Sequence, residues 1–336
     1  MLHRYRTALV SSVMASALLA ACGEPVGEIE FAEPEARTIE AAPAASGVLP
    51  EPLLPAIAPE GQRIPDVLRC LMDRGVTLIS AHRGGVEPGF PEHAIETFAN
   101  TLSGGPMLLE MDVRRTADGV LVMMHDEELE RTTTGTGNIS DLTFAELSGL
   151  QLVDHEGNVT PYRIPSLSEV LNWARGRAFV QLDLKRTVDV EELVGAIRAN
   201  DAVSYSMVIT YTLEDALRAA ESDEDVVISI QIRDQERLDA LMEAGVDPAR
   251  LIGWAGVHRE PEPEVWNRLI GAGIPPVAGT LWHIDGEVEA SGDASVFQTF
   301  AEGGVAAIAT DLHWTAYHAL EERQDTVEAF SACTAN

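Results

Sequence analysis

Four strand-like runs carry ionisable residues at their ends. "VTLISAHRGG" closes on His82 and Arg83, "MLLEMDV" carries Glu110 and Asp112, "VLVMMHD" closes on His125 and Asp126, and "AFVQLDLK" carries Asp183 and Lys185. Glu110 and Asp112 are two apart, so on a strand both carboxylates leave the same face. Two carboxylates that close repel unless a cation sits between them. A hard divalent ion, Mg²⁺ or Ca²⁺, takes oxygen ligands of this kind. Asp183 can complete the carboxylate set, while Lys185 and Arg83 can meet phosphate oxygens. His82 and His125 are then available as an acid/base pair near neutral pH. Singly, each residue has a bland reading as an ion-pair partner or a structural histidine. The chemistry lies in the joint pattern.

Such a ring of groups needs a scaffold that brings several strand ends together. From about residue 66, runs rich in Val, Ile and Leu alternate with helix-like stretches, as expected for strands buried on both faces. Repeated strand–helix units over this length predict a (β/α)₈ TIM barrel, with an open doubly wound sheet as the alternative. All the strand ends named above, with Asp311 after the last strand, would face one rim. The link "RRTADG" is too short for a helix, which makes the second βα unit irregular. The stretch 127–165 reads as a long insertion after the third strand, of the kind that builds a site's mouth. Nine strand candidates are one too many for the barrel, and a late run is expected to be the one outside it.

The chain has 336 residues, 54 of them Asp or Glu against 23 Lys or Arg, for a formal charge of −31. That surface repels nucleic acid and anionic lipid, so an anionic substrate needs a locally positive site. Residues 1–21 combine a basic start with the apolar "TALVSSVMASALLAA", too short for a permanent membrane span. The run into "LAAC" resembles the lipobox of bacterial lipoproteins, which implies cleavage before Cys22, lipidation there, and export to a membrane-anchored position in the cell envelope, facing the periplasm. Residues 22–65, rich in Pro, Ala and Glu, read as a tether, and the catalytic domain is expected over 66–336. Cys70 and Cys333 sit at the two ends of that domain, where an exported protein tolerates a disulfide.

At the ionisable residues the sequence resembles the glycerophosphodiester phosphodiesterases. "AHRGG" (81–85) is similar to the family's His-Arg-Gly, and "LEMDVRRTADGVLVMMHDEELERTTTGTG" (109–137) to its long central run. "IPSLSEVL", "QLDLK" and "AIATD" follow in order. The resemblance implies a metal-dependent barrel that cleaves glycerophosphodiesters to glycerol 3-phosphate and an alcohol. In it Glu110, Asp112 and Asp183 hold the metal, His82 and His125 are acid and base, and Arg83 and Lys185 contact phosphate. Glu92 and Trp282 match positions on the substrate side. Two stretches depart from the pattern. "PEHA" (91–94) replaces Pro-Glu-Asn-Thr, placing His93 where an amide is usual. The simplest reading is a replacement of little effect, with an extra ligand or a substrate contact as alternatives. "TLWHID" keeps Trp282 but puts His283 where Thr is usual, so the alcohol pocket is expected to differ. The rival functions are a lysophospholipase D or sphingomyelinase D-like enzyme giving a cyclic product, a non-catalytic binding lipoprotein, and a Schiff-base lyase using Lys185. A carboxylate two residues away keeps that lysine protonated and disfavours the last.

Overall fold

In the computed structural model, which describes residues 62–335, the short apolar runs form strands with almost no exposed side chains. The expected leader over 1–21, Cys22 and all but the last few residues of the expected tether lie outside the described residues. Among the described residues there are nine strands: β1 (Leu78–Ala81), β2 (Leu108–Arg115), β3 (Leu121–Met123), β4 (Phe179–Leu184), β5 (Ser206–Thr210), β6 (Val227–Gln231), β7 (Leu251–Val257), β8 (Pro276–Gly279) and β9 (Ala307–Thr310). Eight of them run parallel in the order β1-β9-β8-β7-β6-β5-β4-β2, and β1 pairs with β2 to close the barrel. Closure excludes the open-sheet alternative. Helices cover the outside, and Trp266, Phe98, Phe179, Phe297 and Phe300 are fully buried among Leu, Ile and Val. Each such aliphatic side chain contributes about 1.5–3 kcal/mol by leaving water.

The ninth strand is an early one and not a late one. β3 pairs antiparallel with β2, Val113 opposite Met123 and Arg115 opposite Leu121, and lies outside the barrel. "RRTADG" is the hairpin turn between them, in which Thr116 N–H donates to Val120 O at 3.0 Å. The direction of β3 matters for the site. β2 climbs past the rim, the hairpin turns above it, and β3 descends to deliver His125 at the level of Asp112, where Met124 N–H donates to Asp112 O at 3.0 Å.

The insertion over 127–165 therefore belongs to the crossover between β2 and β4. It has its own small core of Leu129, Ile139, Leu147, Leu152 and Ile164. It also braces the loop after β1: Gly89 N–H donates to Asp154 Oδ2 at 2.9 Å, and the rings of Phe90 and Tyr162 stack at 6.3 Å. The first helix starts at Ile64 and the last ends at Thr334. Cys70 and Cys333 join them in a disulfide with a Cα separation of 5.8 Å. Among the described residues no helix is long and apolar enough to cross a membrane.

Candidate active site

Immediately after β1 the backbone turns left-handed for three residues, Arg83 (φ 52°), Gly84 (φ 85°) and Gly85 (φ 89°). Glycine adopts that conformation freely, and a Cβ on Gly84 would also strike the Phe98 ring. Arg83 is held there by its own N–H, which donates to Glu110 Oε2 at 2.8 Å. The turn sets His82 at the rim. Its Nδ1 lies 2.6 Å from Asp311 Oδ1. A carboxylate only accepts, so Nδ1 carries the proton and Nε2 is left facing the cavity, 4.0 Å from Glu110 Oε2. Burial lowers the His82 pKa, but the Asp311 hydrogen bond and the Glu110 charge outweigh it and raise the net value.

Glu110 and Asp112 leave one face of β2, and Asp183 stands opposite Asp112 on β4. One oxygen from each of the three lies within 4.8 Å of the others, and all three residues are buried. Burial, with the Asp112 charge, pushes Glu110 up to about 7. Burial likewise raises Asp183. Asp112 goes the other way: burial acts to raise it, but His93 and Lys185 hold it well below the carboxylate range. Asp183 Oδ1 is buried with no hydrogen-bond partner. An orphaned oxygen in a cluster of mutually repelling carboxylates is the arrangement a divalent cation satisfies, and oxygen donors suit a hard one.

Lys185 Nζ sits beside this cluster, 2.5 Å from Asp112 Oδ1 and 2.7 Å from Asp183 Oδ2. Burial lowers its pKa, yet the two carboxylates raise it overall, so it stays an ammonium and not a Schiff-base amine. Tyr211 O–H donates to Asp183 Oδ2 at 2.7 Å. His93 has φ 64°, a left-handed position that Asn tolerates better than most side chains. Its Nε2–H donates to Asp112 Oδ2 at 2.8 Å in a fully buried pair. This is a carboxylate partner, and neither the extra ligand nor the direct substrate contact weighed from sequence.

His125 mirrors His82, with Nδ1 2.6 Å from Asp126 Oδ1. Burial lowers its pKa, and Asp126 restores only part of that. Arg131 donates to Asp126 and, through both terminal nitrogens at 2.9 Å, to the two oxygens of Glu92. Arg83 Nη1 donates to Glu92 Oε2, also at 2.9 Å. Although burial acts to raise Glu92, these arginines and His93 pull it down to about 2. Glu92 thus holds two arginines, and it lines an adjoining cavity instead of the central one.

His82, Arg83, Glu110, Asp112, His125, Asp183, Lys185 and Trp282 all line a single cavity of about 370 Å³ at the rim. Its other half is mostly apolar, with Ile209, Trp254, Val257, Val277 and Leu281 beside a smaller polar contribution from Thr210, Ser229 and Gln231. The pattern of the glycerophosphoryl diester phosphodiesterase family matches residues 82–244. A crystal structure of a glycerophosphoryl diester phosphodiesterase from Parabacteroides distasonis is 31% identical, with a TM-score of 0.74 over 80% of this chain and 96% of that one. The chain belongs to this family.

Among curated family members, a glycerophosphodiester phosphodiesterase of Caldanaerobacter subterraneus is 32% identical over 154 residues, 43% of this chain and 63% of that protein. The match to a Bacillus altitudinis glycerophosphodiester phosphodiesterase, 35% identical, takes in 34% of this chain and 47% of that protein. The chain spans about half the length of the curated relatives it matches. The phosphodiesterase pattern ends at residue 244, so Trp282 and Asp311 are joined to it by the barrel's closure. Asp311, Asp126, Arg131 and Tyr211 were not singled out for roles from sequence. For Asp126, directly beside His125, adjacency was a signal. For Asp311 the signal was its place at the end of the last strand.

Proposed function

We propose that the protein hydrolyses glycerophosphodiesters to glycerol 3-phosphate and an alcohol in a reaction that needs a divalent metal, with Mg²⁺ or Ca²⁺ as the ion. The observation that carries this reading is the convergence of Glu110, Asp112 and Asp183, with Asp183 Oδ1 orphaned, between two imidazoles that each present Nε2. Bound there, a cation would offset the negative charge that grows on the phosphate's non-bridging oxygens. Arg83 and Lys185 border the same space and hold those oxygens. The His82 environment favours the protonated ring and that of His125 the neutral one. Groups pushed apart in this way divide the labour of acid and base. His125 accepts the proton of the attacking oxygen as the new P–O bond forms. His82 donates the proton from Nε2 to the leaving alkoxide as the old P–O bond breaks.

A second reading is favoured by the apolar half of the cavity, which can take an acyl chain. It is a lysophospholipase D or sphingomyelinase D-like reaction in which a substrate hydroxyl attacks and a cyclic phosphate results. A non-catalytic role is opposed by the full set of ionisable groups. Export and lipid anchoring at Cys22 remain part of the proposal, supported by the Cys70–Cys333 disulfide, a bond of oxidising compartments. The test is incubation with glycerophosphocholine, glycerophosphoethanolamine and lysophosphatidylcholine, with chelator and after adding back Mg²⁺ or Ca²⁺. Glycerol 3-phosphate formed only with metal supports the first reading. A cyclic product from the lysolipid supports the second, and turnover untouched by chelator sinks the metal assignment.

A further inference from the structure

We infer that Asp285 is a positioning residue for this reaction: through the backbone of Asp311 it fixes the carboxylate that orients His82. The inference rests on the proposed chemistry only for what His82 does, not for how it is held.

Asp285 lies in the first turn of the helix His283–Ser291 that follows β8, and it is 4% exposed. A buried carboxylate in no salt bridge is costly unless donors satisfy it. Here they do. Oδ2 accepts the backbone N–H of Asp311 at 2.8 Å, and Oδ1 accepts the Thr310 hydroxyl at 2.9 Å. The Asp285 N–H donates in turn to Thr280 O at 3.2 Å, and Thr310 Oγ1 accepts the N–H of Leu312 at 3.0 Å. These bonds knit the end of β8 to the end of β9.

Asp311 is the first residue beyond β9, so no strand ladder holds its N–H. Its side chain is 47% exposed and touches His82 Nδ1 at 2.6 Å. An exposed carboxylate has many rotamers available. It keeps an imidazole in place only if its own backbone is anchored, and Asp285 supplies the anchor. Supports of this kind fix the tautomer and ring orientation of the histidine they serve.

The test is a double-mutant cycle on the full chain. Asp285→Ala should lower kcat about 10–100-fold, the cost of a catalytic group misplaced by about an ångström, with KM moving less than about threefold. Asp285→Asn keeps an oxygen for the Asp311 N–H and should recover most of the loss. In an Asp311→Ala background, Asp285→Ala should cost nothing further, because the carboxylate it anchors is gone. If Asp285→Ala does not fold, Asp285→Leu fills the same volume and takes its place. The second readout needs no substrate: the downfield Nδ1–H proton resonance that disappears in His82→Gln should also disappear in Asp285→Ala. A full additional loss in the Asp311→Ala background, or a resonance that persists in Asp285→Ala, overturns the inference. If no glycerophosphodiester is cleaved at all, the proposed function fails, and the resonance alone decides the positioning role.

Discussion

The two halves of the cavity are built by different physics. The half from β1, β2 and β4, with His125 from the descending β3 and Asp311 from just beyond β9, is a net of charge-assisted hydrogen bonds: Asp311–His82, Arg83–Glu110, Lys185–Asp112–His93 and Asp126–Arg131–Glu92. The half from β5 to β8 is mainly packing, with Ile209, Trp254, Val257, Val277 and Leu281 outweighing the polar Thr210, Ser229 and Gln231, and only Tyr211 reaches across to Asp183. Charge develops in the transition state on only one side, so only that side needs preorganised dipoles. The other side has shape to offer, which acts equally on bound substrate and transition state. The comparison predicts a split in mutant kinetics. His82→Ala and His125→Ala should each lower kcat about 10²–10⁴-fold with little change in KM. Steady-state kinetics on glycerophosphocholine checks this, and a variant with near-normal kcat would remove its histidine from the acid/base pair.

The halves meet between β9 and β1, where His313 is buried under the glycine turn with neither ring nitrogen hydrogen-bonded and Nε2 3.8 Å from Glu87 Oε1. Burial drives its pKa down to about 4, partly opposed by Asp311. A histidine whose folded pKa lies below its unfolded value, near 6.5, binds protons more readily when unfolded. Its contribution is therefore intact above about pH 6.5 and is lost as pH falls toward 4. Linkage puts the size at about 3 kcal/mol. Denaturant unfolding at several pH values should show His313→Gln with a flatter stability curve than the parent between pH 6.5 and 4. Equal slopes would mean that the imidazole is hydrated in solution and that the seam is looser than drawn.

The same division decided what could be read from sequence. Buried parallel strands announce themselves as short aliphatic runs, and carboxylates two apart on a strand announce a shared face. Both signals are local. Strand direction is not: three apolar residues at 121–123 read the same whether they enter a barrel or fold back along β2. His82 and Asp311 are 229 residues apart, and only closure of the barrel makes them partners. The apolar half was illegible for a different reason. Ile209 and Val277 are the residues any strand would use for its core, and nothing in their type says that they face a cavity.

His93 sharpens the contrast within the polar half. It touches no substrate-facing space, yet its Nε2–H and the Lys185 ammonium take both oxygens of Asp112. Partners that orient a ligating carboxylate are worth about 10–100-fold in metal affinity. His93→Ala should weaken Mg²⁺ or Ca²⁺ binding by that factor, measured by calorimetry without substrate. His93→Asn should lose less, since an amide N–H can still donate and Asn is at ease at this left-handed φ. Unchanged affinity in both variants would reduce His93 to filling.

Trp282 is the smallest test and the one that can blur the boundary. It stands at the mouth of the apolar half, 68% exposed, at φ 68° and ψ −63°, with His283 N–H donating to Leu281 O at 2.9 Å. That three-residue turn is strained for any side chain, and glycine alone adopts positive φ without cost. Partial burial of the indole against substrate is worth about 1 kcal/mol, roughly fivefold in KM, with kcat unchanged. Trp282→Ala removes the ring and keeps the strain, whereas Trp282→Gly removes both. A KM rise of equal size in the two variants assigns the effect to the indole and keeps the apolar half a matter of shape. If kcat falls in Trp282→Gly but not in Trp282→Ala, the strained turn itself tensions the route from β8 through Asp285 to Asp311, and the two halves are coupled.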